Sequence, residues 1–181
     1  LDIPYYLAIN HLPPRLLGFL MGVIHGLNFV LVLAIGRKLL FWLPDADRQR
    51  TSILLALAGC LTANFLSELG STMGDNATAL FCLASILVTL QAIDDLPIRS
   101  AHAMWALATA GVLAGMAAGL KLTNAPYALA ICLGLLTLPV SPARRLQGAF
   151  VFGIGVLAGL AGTAGFWFYT MWQTFGNPLF P

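Results

Sequence analysis

The chain has 181 residues, 59% of them hydrophobic, 9% charged, with a formal net charge of +2 and a mean hydropathy of +0.87. That leaves too little polar surface to cover a water-soluble globule, and no basic stripe for a nucleic acid. The apolar runs reach or approach the ~20 residues a helix needs to cross ~30 Å of hydrocarbon, and the alternation of a membrane barrel is absent. An all-α, polytopic transmembrane bundle of about six spans is therefore expected.

Leu1 opens the chain without an initiating Met or a signal peptide, and the chain stops at Asn177-Pro-Leu-Phe-Pro181, so a piece of a longer protein is expected. Residues 1–14, with Tyr5, Tyr6, His11 and the Pro13-Pro14 pair, read as an outward interfacial segment. The transmembrane bundle is placed at 15–172. Its first span runs over about 15–41, and a charged connection with Arg37, Lys38, Asp45, Asp47, Arg48 and Arg50 follows. The second span covers about 52–67.

Next comes Glu68-Leu-Gly-Ser-Thr-Met-Gly-Asp-Asn76, an acidic, glycine-punctuated break with no basic residue near it. Asp75 or Asn76 is suited to cap the third span, about 77–93. Asp94-Asp95-Leu-Pro97 ends that helix, and the fourth span covers about 101–119. The fifth, about 125–138, is short enough to be tilted or re-entrant. The last covers about 146–172, and 173–181 begins a further outward loop.

Six spans would place Arg37, Lys38, Arg48, Arg50, Arg99, Arg144 and Arg145 on one side, against Arg15 and Lys121 on the other. The positive-inside rule then puts both ends outside, together with His11, Glu68, Asp75, Asn76, Lys121, Thr123, Asn124 and Asn177. The candidate chemistry lies at that outer boundary. Glu68 and Asp75 are candidate ligands of a divalent cation, since hard cations take carboxylate oxygens; the plainer reading is an acidic loop with a helix cap. Lys121, followed by Thr123 and Asn124 as candidate caps, makes a phosphate site at a helix N-terminus, or else a snorkelling lysine in a tight turn. Asn76 and His11 are further substrate-binding candidates. His25 and Asn28, within the first span, read chiefly as interhelical hydrogen-bond partners.

Gly18-xxx-Gly22-xxx-Gly26, Gly111-xxx-Gly115-xxx-Gly119 and Gly155-xxx-Gly159 read as packing faces, and Cys60, Cys82 and Cys132 as packing residues.

Three stretches together resemble the polytopic GT-C glycosyltransferases, which include protein mannosyltransferases and aminoarabinose transferases. They are Gly-Asp75-Asn-Ala-Thr-Ala-Leu-Phe, Ala-Gly-Leu-Lys121-Leu-Thr and the long last span leading to Gly176-Asn-Pro-Leu-Phe-Pro181. The resemblance implies a GT-C-like fold and a sugar donor carried on polyprenyl or dolichyl phosphate. It also implies transfer to an acceptor on the non-cytoplasmic face, in a bacterial inner membrane. Asp75 resembles the acidic residue at the entrance of a helix, and Lys121 the basic residue that faces the lipid phosphate. The family's catalytic acidic residue lies on the first outward loop, expected upstream of Leu1, so this piece alone is expected to be inactive. A secondary transporter with a discontinuous helix near Lys121, or a non-catalytic membrane subunit, are the alternatives.

Overall fold

The computed structural model describes residues 2–98 and 100–178. Arg99, counted above among the basic residues of one side, and the terminal residues 1 and 179–181 lie outside the described residues. All regular structure in the described residues is helical: α1 (Asp2–His11), α2 (Pro14–Leu39), α3 (Asp45–Cys60), α4 (Ala63–Glu68), α5 (Asp75–Asp95), α6 (Ala101–Leu120), α7 (Ala125–Leu136) and α8 (Pro142–Phe175). Short 3-10 turns occupy Leu96–Ile98 and Leu122–Asn124. Four helices, α2, α5, α6 and α8, are long and apolar enough to cross a membrane. By that measure the chain is an integral membrane protein.

Two of the expected spans differ. The second begins earlier, at Asp45 behind Pro44, and breaks at Leu61 and Thr62, where the Thr62 hydroxyl accepts the Phe65 N–H and starts α4. The fifth is only the 12 residues of α7, ~18 Å of helix.

The chain forms two compact units, Leu1–Leu83 and Ala84–Pro181, with the boundary in sequence falling within α5. In the first unit, Gly36 near the end of α2 lies against Ser52 of α3: a Cβ there would stand 3.2 Å from the Ser52 hydroxyl. Further along, Gly70 approaches Gly18 and His25 of the same helix. Between residues 52 and 70 the chain thus returns roughly 17–27 Å along α2, at 1.5 Å per residue. The broken pair α3–α4 does the work of one returning segment.

In the second unit the glycines of α6 and α8 interlock. A Cβ on Gly111, Gly115 or Gly119 would run into Phe152, Val156 or Thr163, and one on Gly155 or Gly159 into Ala108 or Val112. Both sets ascend together, so α6 and α8 run parallel. Small residues let two backbones touch where lipid offers no hydrophobic drive to associate. A parallel pair also obliges residues 121–141 to come back along the length of α6, which α7 does with its extended flanks. Phe152, Leu107 and Leu135, with Ala92, Ala110 and Ala114, fill the core beside this seam.

The outer surface is apolar, as lipid contact requires: Phe19, Val30, Phe150, Leu157 and Phe166 are all exposed. Threonine hydroxyls at 109, 163, 170 and 174 bond carbonyls four residues back in the same helix, hiding their polarity from hydrocarbon.

Candidate functional site

The polar residues of the first unit gather on one stretch of α2. His25 is fully buried, Asn28 is 3% exposed and Asn76 6%. The acidic break packs here, pinned at both ends. At one end Gly70 donates its N–H to His25 Nδ1 at 3.3 Å, and at the other Asn28 Nδ2 donates to the Asn76 carbonyl at 2.8 Å. Asn28 Nδ2 also reaches the His25 carbonyl at 2.9 Å, and Asn76 Nδ2 donates to the Phe65 carbonyl of α4 at 3.1 Å. The turn closes on itself through Ser71 N–H to the Glu68 carbonyl at 2.9 Å. It needs glycine at Gly70 and Gly74, whose φ of 78° and 86° is costly for a side chain with a Cβ.

The break therefore does not cap α2 from outside; it lies alongside it, at the level of its middle turns. Irregular backbone at such a depth is tolerated only where protein covers it or water reaches it. Glu68 is buried at the end of α4 and Asp75 is half-buried as the first residue of α5. Among the described residues no three His, Cys, Asp or Glu side chains come together as a metal site requires. Asn76 does not cap α5 as expected, because its amide is turned back to Phe65. His11 ends α1 and is exposed.

In the second unit, α6 stops at Lys121, which has left the helix for extended angles (φ −150°, ψ 109°). The Lys121 N–H still bonds the Ala117 carbonyl, and its own carbonyl takes the Asn124 N–H. Asn124 was expected to cap α7. Instead its Nδ2 donates to the Ala117 carbonyl at 3.2 Å, so it closes the end of α6, and α7 starts on Ala125-Pro126 without a side-chain cap.

Beside this turn an apolar groove of about 700 Å³ runs between α7 and α8. Leu122 and Ala125 line the end at the turn, Cys132 the middle, and Leu136 and Leu146 the far end. It spans ~21 Å of α8, from Leu146 to Leu160. A groove this long, almost without polar lining and with a lysine on the turn at its end, suits an apolar chain bearing an anionic head.

Sequence reasoning placed Lys121 and Asn124 on one turn, where they are, and missed the groove, which depends on how α7 lies on α8. It read His25 and Asn28 chiefly as interhelical hydrogen-bond partners, and they bond Gly70 and Asn76. Two polar residues three apart on an apolar helix share a face, and that was the available signal. Comparison with family models, with curated proteins and with solved structures returns no match.

Proposed function

We propose that the chain is the membrane part of a glycosyltransferase of GT-C type, which takes a sugar from a polyprenyl-phosphate donor and delivers it on the non-cytoplasmic face. The groove between α7 and α8, whose lining includes Leu122 next to Lys121 in the chain, carries this reading. The isoprenoid chain would lie along Leu129, Cys132, Phe150 and Leu157, and the phosphate would meet the Lys121 ammonium at the turn. Transfer breaks the bond between sugar and lipid phosphate, so a cation there stabilises the charge left on the departing phosphate.

Two further features support it. The return of α3–α4 along α2 brings the acidic break to the part of α2 away from Arg37 and Lys38, as the outward assignment of Glu68 and Asp75 asks. The parallel α6 and α8 make the short α7 a returning segment, which keeps Lys121 on the side opposite Arg144 and Arg145. In this reading the membrane is a bacterial inner membrane with both chain ends outward.

The groove is tested at Cys132, with Cys60 and Cys82 replaced by alanine. A membrane-permeant maleimide should modify Cys132 in the full protein, and an excess of undecaprenyl phosphate should slow that reaction several-fold. A polyprenol without phosphate should protect less. Equal rates with and without undecaprenyl phosphate would remove the groove from the donor site.

A further inference from the structure

The acidic break is held on α2 by two side chains of different chemistry, and only one of them can titrate. We infer that His25 is a proton-binding site whose protonation releases the Gly70 end of the break while the Asn76 end stays fixed. This goes beyond the glycosyl-transfer reading and does not depend on it.

His25 Nδ1 accepts the Gly70 N–H across 45 residues of sequence, so Nδ1 carries no proton and the single ring proton sits on Nε2. Nε2 is buried and has no hydrogen-bond partner among the described residues, and neither has Asn28 Oδ1. Buried polar atoms are nearly always partnered, so two orphans three residues apart mark a place built for more than packing. When the ring takes a second proton both nitrogens become donors. Nδ1–H then confronts the Gly70 N–H, donor against donor, and that bond cannot persist, which leaves the Glu68 backbone as the ring's partner on the turn. Gly70 holds a left-handed φ of 78°, and losing the acceptor unties it from α2 while the bond from Ser71 N–H to the Glu68 carbonyl stays within the turn. Asn28 to Asn76 is an amide-to-carbonyl bond and is indifferent to protons. The stretch 70–75 would loosen between Glu68 and Asn76.

Among the charged neighbours, Glu68 at the end of α4 and Asp75 at the start of α5 stand at the two ends of the break. On α2 the cations Arg15, Arg37 and Lys38 are each about three helical turns from His25. On α1 the described ionisable groups are Tyr5, Tyr6 and His11. On α3 the charges sit in the first turns, at the end that lies beside Gly36, and Cys60 closes the helix.

The test uses the full chain in nanodiscs with the native cysteines replaced and a single reporter, Thr72→Cys, at a half-buried position of the break. Labelling by a water-soluble maleimide is measured from about pH 8 to about pH 4, through and below the ordinary histidine range, and divided by the rate of an exposed control, Ser141→Cys. With His25 present the normalised rate should rise at least about threefold as the pH falls, as a local opening would make it. Asparagine places an amide oxygen where Nδ1 stands and does not titrate. His25→Asn should therefore hold the rate low at every pH, and His25→Ala should hold it high at every pH. A flat profile in the His25 protein overturns the inference, as does an undiminished pH dependence in His25→Asn. Should either variant fail to give monodisperse protein, the profile of the His25 protein alone still decides.

Discussion

Replacing Gly115 with leucine is expected to abolish folded, monodisperse protein, whereas Gly162→Leu, on α8, should leave it intact. A Cβ on Gly115 would be driven into the carbonyl oxygen and carbon of Val156 and the amide of Leu160, all of them backbone. Side chains can swing aside, but two helix backbones already in contact cannot. Overpacking in ordinary cores costs ~1–3 kcal/mol, and an obstacle of rigid backbone puts this case at the top of that range or above it. At Gly162 nothing stands within 4 Å of an added Cβ, and leucine is the better helix former. Size-exclusion profiles and thermal unfolding in detergent would separate the two variants. Similar behaviour of both would mean that α6 and α8 do not touch along this seam.

The second large effect belongs to the donor. Lys121→Met keeps the length and apolar stem of the side chain and removes its charge. The proposed phosphate contact is a charge-assisted hydrogen bond, worth ~1.5–3 kcal/mol, so affinity for undecaprenyl phosphate should fall roughly 10- to 100-fold. Binding of uncharged polyprenol should barely change, because the groove residues are untouched. Lys121→Arg should retain most of the affinity, since a guanidinium also pairs with phosphate. Equal weakening for the charged and uncharged lipids would point to a damaged turn, and no weakening for either would take Lys121 out of the site.

Much of the fold could be read from residues alone. The fourth span was expected over 101–119 and α6 covers Ala101–Leu120, because Ser100 caps its start and glycine-rich apolar sequence fills it. The third and first spans match α5 and α2 nearly as closely, with Pro14 marking where α2 begins. The second span, expected over about 52–67, differs from the helices α3 and α4 for a definite reason. Hydropathy sets its start after the charges of 45–50, whereas Pro44 and the acidic first turn of α3 are helix-start signals that hydropathy ignores. The break at Thr62 is also local, a hydroxyl cap inside an apolar run.

The glycine faces show where sequence stops. Three stripes have the same spacing, yet on α6 and α8 each added Cβ would strike the neighbouring helix, while none at Gly18, Gly22 or Gly26 meets an atom within 4 Å. Spacing records that a close approach is possible; the partner decides whether it happens. The candidate sites follow the same rule. Lys121 and Asn124 were legible because one turn holds both, while the pairing of His25 with Gly70 joins residues 45 apart and leaves no local trace.

The account stands most directly on which side of the membrane its polar residues emerge. Single cysteines at Met73 and Thr123, and separately at Asp47 and Ser141, can be challenged in intact cells with an impermeant maleimide and again after permeabilisation. Cysteines at 73 and 123 should react from outside, and those at 47 and 141 only once the membrane is opened. If 73 and 123 answer from opposite faces, a lipid-phosphate transferase that works outward on both cannot be built from this chain.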